Sequence, residues 1–227
     1  MKIQQYVCAT ATLFLASLWT PAFAASKAEL DGAMSVDGLQ KITVKGIEMA
    51  YARPGATLAG YDKIKLEPVE VAFSKNWNPT RPGSMLKISA QERENIRAGV
   101  AKIVHDEFVK ALQAKSSYEV VEGAGPNVLR VKASIVNLYV TAPDTMSAGR
   151  SRTYVVSAGE MTLFAELFDS ESGQVLARVA DRRQARDNSS LTLSDSMVNT
   201  DEATVIASRW AGILRDGLDK AHGIGKK

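Results

Sequence analysis

The chain has 227 residues, with 28 lysines and arginines, 25 acidic residues and a net charge of +3. This length suits one domain with a substantial hydrophobic core, and the mildly basic balance does not by itself indicate nucleic-acid binding. Two histidines and one cysteine supply too few ligands for a zinc site of the usual kind.

The first 24 residues have the three parts of a secretory signal peptide. A positively charged start precedes an apolar stretch from Tyr6 to Trp19, and Ala22-Phe23-Ala24 is the small-x-small pattern that signal peptidase recognises. The apolar stretch is too short to cross a bilayer, and Pro21 argues against the alternative of a buried N-terminal helix. Cys8 lies inside this stretch, with no lipoprotein cleavage box before it. We therefore expect cleavage after Ala24 and a periplasmic or secreted protein without thiols.

After the signal peptide we expect a lead-in, one domain and a tail. Residues 25–60 are rich in glycine, alanine, serine and charge, which predicts a partly ordered lead-in that ends at the turn Arg53-Pro54-Gly55. A single α+β domain is expected at residues 61–223, and a basic tail at residues 224–227. No later apolar run reaches the roughly 20 residues that a membrane-spanning helix needs.

Alternating apolar patterns predict about five strands in this domain. Pro68 lacks a backbone donor, so its strand is expected at an edge or to contain a bulge. The turns at residues 123–126 and 169–173 predict hairpins between the second and third strands and between the fourth and fifth. The strands are expected at residues 61–73, 118–121, 128–140, 154–168 and 174–186.

Two amphipathic helices flank the last four strands. Ser89 and Glu92 form a capping box that begins a helix extending to about Ala114. A second helix follows the polar loop at residues 187–199, and its apolar stripe includes Trp210. Helices separated by a run of hairpin strands predict an α+β fold, in which a mostly antiparallel sheet has both helices packed on one face. The other face must meet water, another chain or the lead-in.

Several short motifs follow one another in order along the chain: Tyr51-Ala52-Arg53-Pro54-Gly55, Glu67-Pro68-Val69-Glu70-Val71, Gly125-Pro126-Asn127-Val128-Leu129-Arg130, Ala165-Glu166-Leu167-Phe168-Asp169, Asp181-Arg182-Arg183 and Arg209-Trp210-Ala211. Together they resemble the bacterial family called domain of unknown function 3313. The resemblance covers nearly the whole chain after residue 24, and it implies a secreted or lipid-anchored envelope protein of unknown activity. It supplies no catalytic residues, and the sequence lacks the anchoring cysteine of the lipid-anchored members.

The sequence offers little for catalysis. His105 is expected on the polar side of the first helix and His222 near the end of the chain, with no nucleophile motif and no phosphate-binding loop. We therefore expect no catalytic residues, metal or cofactor. Four acidic residues on the paired strands suggest either a carboxylate pair for glycoside hydrolysis or cross-strand charge pairing with Arg178 and Arg183, and we favour the pairing. They are Glu160, Glu166, Asp169 and Asp181.

A row of basic residues is the most distinctive feature for binding. Arg178, Arg182 and Arg186 occupy even positions of one strand, so they share a face. If the strands are neighbours, the open face of the sheet is cationic and favours phosphates or carboxylates, and we expect the fold to tolerate loss of these charges. The alternative is a solvated face whose charges prevent aggregation. The other members of the predicted anion-binding face are Lys63, Lys65, Arg130 and Lys132.

The leading functional hypothesis is a non-enzymatic envelope protein that binds an anionic envelope component or another envelope protein, and not nucleic acid. The alternatives are an envelope hydrolase with an unrecognised active site and a subunit of a larger envelope assembly. A cleft that unites His105 with acidic residues would favour the hydrolase, whereas a flat, basic, uncovered sheet face would favour binding.

Overall fold

A computed structural model of the chain describes residues 27–75, 77, 89–114, 118–141, 157–184 and 196–224. The signal peptide expected at residues 1–24 and nearly all of the basic tail lie outside these residues. The described fold is α+β, with three helices and one mixed sheet of eight strands. The helices are α1 (Lys27–Met34), α2 (Ala90–Gln113) and α3 (Ser196–Ala221). The strands are β1 (Gln40–Ile42), β2 (Met49–Ala52), β3 (Lys63–Leu66), β4 (Glu70–Phe73), β5 (Glu119–Val120), β6 (Val128–Thr141), β7 (Ser157–Asp169) and β8 (Val175–Gln184).

Three long antiparallel strands form the centre of the sheet, in the order β6, β7, β8. The complete order is β1-β2-β8-β7-β6-β3-β5, and β4 also pairs with β6. The predicted hairpin between β7 and β8 is confirmed. At its turn, Gly173 adopts a positive φ of 70°, which glycine reaches without steric cost.

The prediction of five mostly antiparallel strands is wrong, because β6 has parallel neighbours. The expected strand at residues 61–73 divides around Pro68 into β3 and β4, which pair in parallel with successive parts of the same edge of β6. Pro68 cannot donate to a ladder, so the break falls where the sequence removes a donor. The expected hairpin between residues 118–121 and 128–140 is also wrong, since β3 occupies that edge and β5 pairs in parallel with β3.

The segment at residues 25–60 differs from the expected lead-in. It contributes α1, a 3-10 turn at Val36–Gly38 and two strands, and β2 extends the sheet by pairing antiparallel with β8. Met34 and Leu39 pack with strand residues Met49 and Ala180 in a small separate cluster. The segment thus forms part of the sheet and covers part of the face opposite the two long helices. Coverage by this segment was one of the three alternatives expected for that face. The turn expected at Arg53-Pro54-Gly55 is present, with the Ala56 amide donating to the Arg53 carbonyl.

The main core lies between the two long helices and the face of the sheet that we call the inner face; the opposite side is the outer face. Helix α2 begins at the predicted capping box, in which Ser89 and Glu92 exchange hydrogen bonds with each other's backbone amides. Its stripe and that of α3 pack against alternate residues of β6 and β7 such as Ile135 and Leu163. Trp210 of α3 is 2% exposed and anchors this core, as its position in the apolar stripe predicted.

One arginine of α3 joins the two long helices at the end of α2. The Arg215 guanidinium donates to the carbonyls of Ala111, at 2.7 Å, and of Ala114. Carbonyls in the last turn of a helix have no partner within the helix, so Arg215 satisfies two of them from outside. Asp219 accepts from Arg215 at 3.3 Å and from the Tyr118 hydroxyl at 2.8 Å, which ties β5 to the same junction.

Replacing Trp210 with alanine should destabilise the fold strongly. The substitution empties a large volume in the core and removes a hydrogen bond to Asp181, so we expect a loss of about 3–5 kcal/mol in the free energy of unfolding. Urea denaturation measures this loss. Ser208→Ala, on the exposed side of the same helix, is the control and should change stability little. Similar urea concentrations at the unfolding midpoint for both variants would refute the assignment of Trp210 as the core anchor.

Candidate functional site

The predicted basic residues that the structure describes share the outer face. Arg178 lies opposite Glu166, Lys132 lies opposite Glu166 from the other side, and Lys65 lies opposite Arg130. Directly opposed residues point to the same face of a sheet, so the strands bring these cations together as expected. Arg186, the third arginine of the predicted row, lies outside the described residues.

The outer face alternates cations with carboxylates. Nearly every described cation of the predicted set has an acidic partner there, so the face is a ladder of opposite charges. Lys65 has no ion pair within the described part of the chain. The cross-strand charge pairing that we favoured for the acidic residues is confirmed for Arg178 with Glu166. Glu160 pairs across the strands with Arg182 instead. Arg183 pairs with Asp181 of its own strand. The pairs are Arg182–Glu160 at 2.6 Å, Arg178–Glu166 at 2.8 Å, Arg130–Glu67 at 3.2 Å, Lys132–Glu70 at 3.6 Å and Lys63–Glu119 at 3.6 Å.

Arg178 is buried beneath the N-terminal segment, contrary to the expectation of an open row. Its side chain donates to Glu166 and, at 2.6 Å, to Asp37, and it also donates to the Val36 carbonyl at 3.0 Å. The residue is only 6% exposed. The contacts with Val36 and Asp37 fasten the 3-10 turn to β8, and the contact with Glu166 joins β8 to β7. Arg178 therefore has a structural role, and its charge is not expected to be dispensable.

A second buried charge, Asp181, lies on the inner face because β8 places it opposite Leu163. The Asp181 carboxylate is 2% exposed and accepts three hydrogen bonds. The donors are Trp210 Nε1 at 2.7 Å, Arg183 Nε at 2.5 Å and the Glu48 amide at 3.0 Å. One carboxylate therefore joins α3, β8 and the loop of residues 43–48.

The 43–48 loop lies close against α3. The Arg183 guanidinium donates to the Gly46 carbonyl, and Gly46 has a positive φ of 88°. A Cβ atom at Gly46 would lie 3.2 Å from Ile213 Cδ1 and 3.7 Å from Arg209 Nη2. Both the backbone conformation and the close approach to α3 therefore favour glycine at this position.

A cavity of about 280 Å³ lies between α3, the inner face of the sheet, and the loops at residues 43–48 and 53–58. Only Tyr51 and Trp210 among its lining residues have polar side-chain atoms, and both donate elsewhere, to Asp31 and Asp181. The lining is Ile42, Val44, Ile47, Tyr51, Ala52, Ala56, Leu58, Phe108, Val131, Leu163, Ala165, Leu167, Leu176, Ala177, Val179, Trp210, Ile213, Leu214 and Gly217.

Small side chains on neighbouring strands create this space. Ala52 of β2 lies opposite Ala177 of β8, and Ala165 of β7 lies opposite Val179 of β8. On the helix side, Gly217 leaves a gap in the wall that α3 forms. The sequence contains these residues, but our interpretation missed the site because it placed residues 42–58 outside the domain. The run of small residues across β2 and β8 becomes visible only once those strands are known to pair.

Groups suited to catalysis do not converge in the described structure. His105 is exposed on α2 with its ring 3.6 Å from Asp106, and His222 packs edge-on against Tyr118. Asp169 lies at the β7–β8 turn, where hydrogen bonds from the Ser172 hydroxyl and amide lower the pKa of its carboxyl. Among the described residues, no group of His, Cys, Asp or Glu is placed to hold a metal ion.

The family of the chain is shown by comparison with family models. The model described as "Protein of unknown function (DUF3313)" matches residues 31–214, and the chain belongs to this family. This match confirms the resemblance seen in the motifs. No curated protein matches the chain. Within the described residues, no helix has the length and apolarity needed to span a bilayer.

Three solved structures are similar to parts of the chain. A Xanthomonas campestris protein of family DUF330 is 16% identical, with a TM-score of 0.40 over 74% of this chain and 93% of that one. The PelC dodecamer of Paraburkholderia phytofirmans is 11% identical, with a TM-score of 0.36 over 78% and 96%. A Helicobacter pylori homologue of neuraminyllactose-binding hemagglutinin is 12% identical, with a TM-score of 0.31 over 81% and 92%. Similarity at this level assigns no activity.

Arg178→Gln and Arg182→Gln should show how differently a buried arginine and an exposed arginine contribute to the stability of the fold. The first buries no charge itself but leaves Glu166, whose side chain is only 13% exposed, and the nearby Asp37 without their buried cation, so we expect a loss of about 3–5 kcal/mol in the free energy of unfolding. The second breaks a pair whose arginine side chain is 53% exposed, and we expect a loss of about 0–1 kcal/mol. Guanidinium denaturation measures both, and equal losses would contradict a structural role specific to Arg178.

Proposed function

We propose that this member of the DUF3313 family is a non-enzymatic cell-envelope protein that binds an apolar or amphiphilic envelope component in the cavity between α3 and the sheet. The observation that carries the proposal is the cavity itself, which has a volume of about 280 Å³ and an apolar lining. Ligand sites are concave and mostly apolar, and an apolar cavity of roughly 150 Å³ already binds benzene.

Burial of hydrocarbon would supply the affinity. The two polar side-chain atoms in the lining are already hydrogen-bonded outside the cavity, by Tyr51 to Asp31 and by Trp210 to Asp181. An apolar ligand therefore leaves no buried donor or acceptor unpaired when it enters. Binding would gain about 25 cal/mol for each Å² of apolar surface removed from water.

The outer face supports ligand binding less well than the cavity. Glu67, Glu160 and Glu166 accept from its arginines, so an anionic polymer would have to compete with carboxylates already in place. Those pairs fit the alternative of a solvated sheet face, on which charges keep the strands from aggregating.

The hydrolase alternative has less support than binding. The cavity lining contains no histidine, carboxylate, serine or cysteine, and His105 lies on the exposed side of α2. General acid–base and nucleophilic mechanisms need such groups within hydrogen-bond reach of a substrate. The signal-peptide pattern of residues 1–24 supports a periplasmic or secreted location, where envelope lipids and other amphiphiles are available.

A dye titration with a cavity-filling variant tests the proposed function. We expect 1-aminonaphthalene, a ten-carbon dye whose emission shifts to the blue when it is shielded from water, to bind saturably at one site. Ala177→Leu adds volume inside the cavity and should weaken dye binding at least tenfold without lowering the melting temperature, because it fills existing space. Ala72→Leu adds the same group on exposed β4 and is the control. Equal dye binding by all three proteins would refute the site.

A further inference from the structure

We infer that the cavity takes a single acyl chain with an anionic head group, and that Lys45 and Arg209 hold the head group at the entrance. The inference rests on the proposed function and names the class of ligand. It joins two observations on the same part of the surface, an apolar cavity and two exposed cations beside its wall.

The volume of the cavity limits the length and the number of acyl chains that it can accommodate. A cavity of roughly 150 Å³ accommodates benzene, which has six carbon atoms. By the same proportion, a cavity of about 280 Å³ accommodates about a dozen carbons. That is one medium-length acyl chain, whereas the two longer chains of a typical phospholipid would need more than twice this volume. The cavity therefore fits a single-chain amphiphile.

The two cations lie on elements that form the wall of the cavity. Ile213 lines the cavity, and Arg209 lies one turn before it on the same helix. Arg209 Nη2 is 3.7 Å from the Cβ position at Gly46, so its guanidinium lies against the 43–48 loop, which also carries Lys45. Both cations are exposed, and within the described part of the chain neither forms an ion pair.

These cations differ in this respect from those on the outer face, which are mostly paired with carboxylates. An arginine can hold a carboxylate or phosphate through two parallel hydrogen bonds, and a lysine contributes a compact second charge. A chain inserted into the cavity would place its head group beside them. Fatty acids and lysophospholipids share this chemistry.

A chain-length series tests the fit of the acyl chain. The probes are saturated fatty acids of eight to sixteen carbons, each titrated below its micelle concentration against displacement of 1-aminonaphthalene. Affinity should increase about fourfold for each added methylene, the gain expected for a CH₂ moved out of water, and should stop increasing near twelve carbons. An increase that continues unchanged to sixteen carbons would refute the proposed size limit.

A head-group comparison tests the cations. Wild-type protein should bind dodecanoate and lauroyl lysophosphatidylglycerol at least fivefold more tightly than neutral dodecanol, and added salt should reduce that preference. The Lys45→Gln/Arg209→Gln double variant should lose the preference and keep its affinity for dodecanol. Arg97→Gln/Lys102→Gln removes two cations from exposed positions of α2 and should retain it. The tighter of the two anionic ligands shows whether the site prefers the carboxylate of a fatty acid or the phosphate of a lysophospholipid.

The outcomes separate the two proposals. If dodecanol and dodecanoate bind wild type equally and Ala177→Leu weakens both, the cavity site stands and the head-group inference fails. If Ala177→Leu leaves every affinity unchanged, both proposals fail. If the preference for anionic ligands survives in the double variant, the assignment of Lys45 and Arg209 is wrong, whatever the α2 control shows.

Discussion

The carboxylate of Asp181 is the constraint on which the rest of the site depends. A buried carboxylate is costly unless several donors surround it, and this one has three, from Trp210, Arg183 and the Glu48 amide. Those donors come from the C-terminal helix, the last strand and a loop in the N-terminal segment. Satisfying one charge therefore brings distant parts of the chain together, and it fixes the 43–48 loop as a wall of the cavity.

Charge is distributed differently on the two sides of the sheet. On the outer face, most of the described cations have carboxylate partners, and Arg178 uses its pairs to hold the N-terminal segment in place. On the inner face, alanines at positions 52, 165 and 177 leave unfilled apolar space beside α3. This distribution favours the proposed burial of an apolar chain over electrostatic binding on an open face. In the proposed site, charge acts only on the head group at the entrance.

Local signals predicted the parts of the fold that depend on local sequence. The capping box at Ser89 placed the start of α2, the turn at residues 169–173 placed the β7–β8 hairpin, and the stripe of α3 placed Trp210 in the core. Pairings between distant segments were missed, because periodicity shows which face of a strand is apolar but not which strand lies beside it. The parallel pairs of β6 and the pairing of β2 with β8 are both of this kind. The cavity depends on the second of them, so it could not be predicted before the pairing was known.

Hydrogen–deuterium exchange in an Asp181→Asn variant tests most directly whether this carboxylate holds the cavity wall. Asparagine keeps the shape of the side chain but replaces one acceptor oxygen with a donor, so it cannot accept all three hydrogen bonds. We predict faster exchange for amides of the 43–48 loop, with weaker binding of 1-aminonaphthalene, while amides within α2 stay protected. Unchanged exchange in this loop together with unchanged dye binding would contradict the account.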